Sequence, residues 1–256
     1  MLNNQPLSPH FGAELDAGIE LLHCSDEAIE ALKLLVAKEG VLVARNQSMT
    51  PAEQAAFAAR LGELFPSPKP SETVPEGLIQ IKADERSKGA AGTAWHTDVS
   101  SEARPPSISM LRMEVVPPVG GDTLFMDMRQ VFSNLSAKMQ DLLKQLSARH
   151  DPVGHYLYLS GQKALHELPS GHHPIVRQIP ETGDVALYVN EGFTRGIDGL
   201  AESESKFLLR FLFDTIRASV PAQIRVKWQP DTIVFWDNRL VQHHAVFDYF
   251  PHRRLG

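Results

Sequence analysis

The sequence has a single cysteine, Cys24, and a shortage of basic residues among its 256 positions. One cysteine excludes an intrachain disulfide and a cysteine-rich zinc or iron–sulfur site, and it suits a reducing compartment, so we expect a cytoplasmic protein. The 25 lysines and arginines are outnumbered by 31 acidic residues, which gives a net charge of −6. This balance disfavours nucleic acid and anionic membranes as partners, and small molecules are expected instead.

Long apolar runs are also missing. Residues 1–21 carry three acidic residues and no extended apolar stretch, so they predict neither a signal peptide nor a membrane span. Hydrophobic residues make up 43% of the chain and charged residues 22%, which is ordinary for a globular protein. Without an internal repeat or a low-complexity segment, the sequence predicts one domain over residues 1–256.

The hydrophobic pattern predicts strands and helices in an irregular order. Helical spacing occurs in 26–39, 136–146 and 202–216, and a capping box at Thr50 predicts another helix that ends near Gly62. Short apolar runs predict strands at 41–44, 108–116, 123–126, 185–189, 224–228 and 232–236. The regular alternation of a doubly wound parallel sheet is absent, so we expect a mainly β protein with mostly antiparallel strands and flanking helices, and a jelly roll is the leading candidate.

Three side chains form a candidate metal site. His96 and Asp98 are two residues apart, and in an extended chain they project from the same face, so we expect both from one strand. His243 follows a strongly apolar strand much later in the chain. Two histidines and one carboxylate make the facial triad of non-haem iron(II) oxygenases, which leaves three metal positions open for a chelating co-substrate and dioxygen.

The His-any-Asp triplet is weak evidence by itself, because a chain with 11 histidines produces it by chance. Arg254, eleven residues after His243, strengthens the interpretation. A buried guanidinium pairs with a carboxylate through two hydrogen bonds, as the distal end of a dicarboxylic 2-oxo acid requires. His244 would point to the opposite face of a strand from His243, so we expect it to pack or face solvent rather than bind metal.

Motifs spread over nearly the whole chain resemble those of the taurine dioxygenase family of 2-oxoglutarate oxygenases. The resemblance rests on these segments: Gly-Val-Leu-Val at 40–43, Thr-Pro-Ala-Glu-Gln at 50–54, Trp-His-Thr-Asp-Val at 95–99, Pro-Pro at 105–106, Gly-Gly-Asp-Thr at 120–123, Tyr-Val-Asn-Glu-Gly-Phe-Thr at 188–194, Trp-Asp-Asn-Arg at 236–239, Gln-His at 242–243 and Asp-Tyr-Phe-Pro-His-Arg-Arg at 248–254. In this order and combination the motifs are highly specific.

The resemblance implies a fold, two cofactors and roles for individual residues. The implied fold is a double-stranded β-helix, which is the jelly roll expected above. Iron(II) would be held by His96, Asp98 and His243, and the co-substrate 2-oxoglutarate would be bound by Thr123 and Arg254. Phe193 falls where the family has an aromatic wall of the substrate pocket, although a plain core position explains it equally well.

The implied reaction uses dioxygen to hydroxylate a small organic acid, with release of succinate and carbon dioxide. When the hydroxylated carbon bears a sulfonate, sulfate or aryloxy group, the product collapses and releases that group. A homo-oligomer is compatible with the sequence.

Substrate positions depart from the taurine-specific pattern. The family positions that contact taurine align here with Ser67, Pro70 and Gly92, none of which offers the expected His, Tyr or Asn side chain. The family also has a substrate arginine four residues beyond the position of Arg254, whereas this sequence stops at Gly256. We therefore expect a substrate other than taurine and a last strand that is incomplete as written.

Two other classes of protein remain as alternatives. A jelly-roll hydrolase or isomerase would hold zinc or manganese in the same triad, but it would have no need for Thr123 and Arg254. A non-catalytic small-molecule binding module would be expected to carry a degenerate triad, and here all three residues are present.

Overall fold

The computed structural model describes residues 2–66, 74–90, 92–152 and 165–256, so Ser67 and Pro70 lie outside the described residues. The α-helices within these ranges are Asp26–Glu39 (α1), Pro51–Leu61 (α2), Met128–Ser133 (α3), Ala137–Leu143 (α4) and Glu202–Ala218 (α5). The strands are Asn4–Pro6 (β1), Ala13–Leu15 (β2), Val41–Ala44 (β3), Lys82–Ala83 (β4), Ile108–Met113 (β5), Thr123–Asp127 (β6), Ser147–His150 (β7), Gly171–Pro174 (β8), Val176–Gln178 (β9), Val185–Leu187 (β10), Thr194–Ile197 (β11), Gln223–Val226 (β12), Thr232–Asp237 (β13), Val241–Ala245 (β14) and Arg254–Leu255 (β15).

The first two helices begin and end at the local signals in the sequence. Ser25 caps α1 by accepting a hydrogen bond from the Ala28 N–H, and the helix stops at Gly40, whose φ of 76° suits glycine. Thr50 and Glu53 form the predicted capping box of α2. Helix α3 was not predicted, because six residues are too short to give a periodic signal.

A five-stranded sheet with the order β1-β2-β3-β13-β5 has both of its faces buried along the central strands β3 and β13. Successive side chains of a strand point to opposite faces, and in β3 and β13 both sets are apolar. One set, which includes Leu42 and Phe235, packs against α1 and α2. The other set, which includes Val43 and Trp236, joins the main core. This explains why these two strands read as continuous apolar runs.

A second sheet, of order β12-β6-β14, lies on the other side of the main core. Its Phe125 contacts Trp236 of the first sheet, with ring centroids 5.6 Å apart. His243 lies opposite Phe125 in the antiparallel pair of β6 and β14. Because paired residues share a face, His243 projects toward the interior between the two sheets.

The remaining strands complete smaller sheets around this centre, in the orders β11-β7-β8, β10-β9 and β15-β4. All described strand pairs are antiparallel except that of β2 with β3, as the irregular element order predicted. Strand β15 places Arg254 opposite Ala83 and is further bridged by Leu255 to Val115. In the described ranges, the helices are too short or too polar to cross a membrane.

Candidate metal centre

His96 and His243 are joined through their backbones. The His96 N–H donates to the His243 carbonyl at 3.1 Å, and the His243 N–H donates to the His96 carbonyl at 2.9 Å. This isolated antiparallel bridge places one imidazole beside the other, with ring centroids 4.0 Å apart.

The prediction that one strand supplies both His96 and Asp98 is wrong. His96 forms a single bridge, and Asp98 already lies in a turn that continues through Ser101. The physical reason is that Asp98 is held by tertiary contacts, including a hydrogen bond from its N–H to the Asn238 side chain at 3.3 Å. The carboxylate nevertheless reaches the two imidazoles.

The three predicted ligands converge on one point. Asp98 Oδ1 lies 3.7 Å from His96 Nε2 and 3.5 Å from His243 Nε2. The three candidate ligand atoms all lie within 4.8 Å of one another, and they form the one such group of three or more found in the described part of the chain. His244 does not join them, because its ring packs edge-on against Trp95 at a centroid distance of 5.6 Å.

The charges of the group suit a divalent metal. The Nδ1 of His96 lies 2.8 Å from the Ala94 carbonyl, which can only accept, so in the neutral ring Nε2 carries the lone pair that faces Asp98. Burial, reinforced by His96, lowers the pKa of His243 to about 3. Burial also opposes ionisation of Asp98, but His243, His96 and a hydrogen bond from Ser109 outweigh it and keep the pKa of Asp98 below its ordinary value. A neutral His243 imidazole and an ionised Asp98 carboxylate therefore face each other, with His96 Nε2 beside them.

Arg254 and Thr123 meet beside Trp228. The Trp228 Nε1–H donates to Thr123 Oγ1 at 3.0 Å, which leaves the threonine hydroxyl hydrogen available for another acceptor. The Arg254 guanidinium lies 5.9 Å from the Trp228 ring centroid. Thr123 lies opposite Ala245, which is two residues after His243 on β14. Thr123 and His243 therefore project from the same face of the sheet.

Arg254 is a buried cation without a carboxylate partner among the described residues. Its exposed fraction is 5%, and its one described side-chain hydrogen bond runs from Nε to the Gly121 carbonyl at 3.2 Å. Burial lowers the pKa of Arg254, as expected for a cation that lacks a close counter-charge. The terminal guanidinium nitrogens are therefore available to bind an anion.

Two of the predicted substrate residues lie near the metal ligands. Gly92 has a φ of +78°, and a Cβ added to it would stand 3.0 Å from His96 Cε1. Phe193 is 1% exposed and packs with Leu168 in a small apolar cluster that also includes Val99, the neighbour of Asp98. The cluster is separate from the main core, so Phe193 lies beside the site.

Sequence reasoning missed three further residues that contact the ligands. A Cβ on Gly192 would lie 2.8 Å from His96 Cβ, so a side chain at this position would displace the imidazole. Ser109 donates a hydrogen bond to Asp98, and Asn238 donates one to Ser109. Gly192 and Asn238 fall inside the motifs at 188–194 and 236–239, which were the available signal, whereas nothing in the sequence marked Ser109.

Comparison with known proteins agrees with this geometry. The family model described as "Taurine catabolism dioxygenase TauD, TfdA family" matches residues 3–255. The chain belongs to this family. Membership implies iron(II) and 2-oxoglutarate as the cofactors, as predicted, and the observed donor set of two imidazoles and a carboxylate fits that metal.

Individual relatives match this chain over nearly its full length. An alpha-ketoglutarate-dependent sulfonate dioxygenase of Saccharomyces cerevisiae is 36% identical over 97% of this chain, but the chain covers 63% of that protein. An alkylsulfatase of Acinetobacter baylyi is 32% identical, with 99% of this chain and 83% of that protein covered. The crystal structure of a taurine dioxygenase from Burkholderia xenovorans superposes with a TM-score of 0.82 at 29% identity, covering 99% of this chain and 88% of that one. These likenesses confirm the predicted jelly roll.

Proposed function

We propose that this chain is a non-haem iron(II), 2-oxoglutarate-dependent dioxygenase that hydroxylates a small organic acid. The observation that carries the proposal is the convergence of His96, Asp98 and His243 on one point, together with Arg254 as a buried cation whose terminal nitrogens face no described carboxylate. The zinc or manganese hydrolase and the binding module account for the triad or the fold, but neither explains why that cation is buried.

His96, Asp98 and His243 would hold the metal. Iron(II) with 2-oxoglutarate supplies the oxidative decarboxylation that releases succinate and carbon dioxide and is coupled to hydroxylation of a C–H bond. The protein contributes positioning. The Ala94 carbonyl, 2.8 Å from Nδ1, orients the His96 ring, and the lack of a side chain at Gly192 leaves room for it. The lack of a side chain at Gly92 leaves the approach to His96 Cε1 open.

Arg254 and Thr123 would bind the co-substrate. The guanidinium would grip the distal carboxylate through two parallel hydrogen bonds, with Gly121 setting its orientation through the Nε contact. The Thr123 hydroxyl, whose oxygen already accepts from Trp228, would donate its hydrogen to the same molecule. Burial of both residues excludes water, which strengthens these contacts.

The proposed substrates are organic acids that carry a sulfonate, sulfate ester or aryloxy group on the carbon to be oxidised. Support comes from relatives named as a sulfonate dioxygenase, a sulfate ester dioxygenase and a phenoxypropionate dioxygenase. The apolar cluster of Phe193 and Leu168 beside the metal ligands suits the organic part of such molecules. With one cysteine and a net charge of −6, the cytoplasm is the proposed location, and neither nucleic acid nor membrane is a proposed partner.

The test has two parts. Under anaerobic conditions, iron(II) and 2-oxoglutarate added to the protein should give a weak visible charge-transfer band, while succinate, which lacks the 2-oxo oxygen needed for chelation, should give none. Absence of the band in folded, iron-loaded protein would rule out the co-substrate assignment. A panel of sulfonates, alkyl sulfates and aryloxy acids, scored by substrate-dependent succinate formation, then identifies the substrate class.

A further inference from the structure

Asn238 is a buried amide whose hydrogen-bonding capacity is fully used. Its Oδ1 accepts from the Asp98 N–H at 3.3 Å and from the Trp236 Nε1–H at 3.1 Å. Its Nδ2 donates to Ser109 Oγ at 2.7 Å and to the Pro106 carbonyl at 3.3 Å. The reverse orientation of the amide would set its NH₂ group against two N–H donors, so the chemistry fixes which end is which.

This orientation gives the hydrogen bonds a single direction. The Asn238 amide nitrogen can only donate, so Ser109 Oγ must accept from it. Ser109 then has one hydrogen left, and this goes to Asp98 Oδ2, 2.6 Å away. A distance of this size is typical of a hydroxyl that donates to an ionised carboxylate.

The consequence lies in how Asp98 presents its two oxygens. Oδ2 is occupied by the Ser109 hydroxyl, while Oδ1 is the oxygen that lies 3.7 Å from His96 Nε2 and 3.5 Å from His243 Nε2. A carboxylate held in this way offers a metal one oxygen. Without the hydroxyl, the group could turn and bind through both oxygens, which would take one of the three positions that co-substrate and dioxygen need.

We propose that Ser109, oriented by Asn238, is a positioning residue that restricts Asp98 to one-oxygen metal binding. The inference rests on the proposed function, because it takes Asp98 as a ligand. Ser109 lies on β5 opposite Trp236 of β13, so a rigid pair of central strands supports it. The Asn238 side chain, 1% exposed, bonds both to Ser109 on β5 and to the N–H of Asp98 in the turn, so it links these two segments.

The experiment compares Co(II) binding to the wild type and to Ser109→Ala, Ser109→Thr and Ser107→Ala. Cobalt is chosen because the intensity of its visible bands reports the number of ligands, so the readout is independent of turnover. Ser109→Ala removes the hydroxyl, Ser109→Thr retains it, and Ser107 is an exposed serine two residues away that serves as the matched control. Thermal unfolding of the metal-free proteins separates loss of the site from loss of the fold.

We expect Ser109→Ala to weaken Co(II) binding by about ten-fold or more and to alter the visible bands, because loss of such supporting contacts typically costs roughly 10- to 100-fold in metal affinity. Ser109→Thr and Ser107→Ala should match the wild type, and the unfolding temperature of every metal-free variant should stay near the wild-type value.

The outcomes distinguish this inference from the proposed function. If the wild type fails to bind Co(II), the proposed metal site is wrong and this inference falls with it. If the wild type binds and Ser109→Ala binds as tightly with the same spectrum, the positioning role is wrong while the metal site stands. Weaker binding that Ser109→Thr fails to restore, or that accompanies an equal loss of thermal stability in the metal-free protein, would assign Ser109 a purely structural role.

Discussion

Replacing Arg254 by lysine tests whether the guanidinium holds 2-oxoglutarate. The change keeps a positive charge in the buried position, but it removes the planar group that can donate two parallel hydrogen bonds. It also removes the Nε contact of 3.2 Å with the Gly121 carbonyl, which fixes the direction of the side chain. An ammonium group at this place can make one strong contact with the distal carboxylate instead of two.

The expected loss follows from that difference. One hydrogen bond to a charged group contributes about 1.5–3 kcal/mol, and each 1.4 kcal/mol corresponds to about a ten-fold change in affinity. The Lys variant should therefore bind 2-oxoglutarate roughly 10- to 100-fold more weakly. The measurement is an anaerobic titration of iron-loaded protein with 2-oxoglutarate, followed by the visible charge-transfer band.

Arg253→Lys is the matched control, because Arg253 is the exposed neighbour in the sequence and should bind 2-oxoglutarate as the wild type does. Substrate affinity, measured with 2-oxoglutarate at saturation, should change far less than co-substrate affinity in the Arg254 variant. If the Lys variant instead bound 2-oxoglutarate normally and lost only the substrate, Arg254 would be a substrate residue and the reasoning would be refuted.

Three further predictions follow from described contacts. His243→Ala should abolish metal-dependent turnover while His244→Ala keeps most of it; activity surviving the first change would mean that the ligand is misassigned by one residue. Asp248 accepts a hydrogen bond of 2.8 Å from the Gly121 N–H, and the Gly121 carbonyl accepts one from Arg254. Asp248→Ala should therefore weaken 2-oxoglutarate binding by about three- to ten-fold, roughly 1 kcal/mol, without changing Co(II) affinity. Equal loss of both affinities would contradict this prediction. Burial lowers the pKa of His150 to about 3 from 6.5, so the unfolded chain takes up a proton between these values that the folded chain does not, and stability is lost as pH falls through this window. At about 1.4 kcal/mol per pH unit, this residue should cost about 2 kcal/mol between pH 6.5 and 5. Urea unfolding of metal-free wild type and His150→Asn at both pH values measures that share, and an unchanged pH dependence in the variant would contradict it.

The sequence was sufficient to predict the class of the fold, and it named the three side chains, His96, Asp98 and His243, that the structure brings together. Side-chain chemistry limits which residues can hold iron or a dicarboxylic acid, and the resemblance of the motifs to the taurine dioxygenase family singled out His96, Asp98, His243 and Arg254 among the candidates. The fold followed from the order of apolar runs. These inferences depend on properties that each residue or segment carries by itself.

Relations between distant segments could not be predicted. Nothing local in the sequence indicates that His96 and His243 exchange backbone hydrogen bonds. Nor does it indicate that a Cβ at position 192 would lie only 2.8 Å from His96 Cβ. Ser109 reads as one more strand residue, and only the pairing of β5 with β13, which sets it opposite Trp236, brings it close to Asn238 and Asp98. Such pairings are properties of the folded chain.

The turn after His96 shows why the local pattern was misleading. Val99 has a φ of 42°, a conformation that is unfavourable for a β-branched residue and that costs on the order of 1–3 kcal/mol. A chain obeying local preference would stay extended there, as the His-any-Asp spacing suggested. The contacts of Asp98 with Asn238 and Ser109, and the hydrogen bond of 2.9 Å from the Glu102 N–H to the Val99 carbonyl, offset that cost. The position of the carboxylate is therefore set by the motif at 236–239 and by β5, against the preference of its own segment.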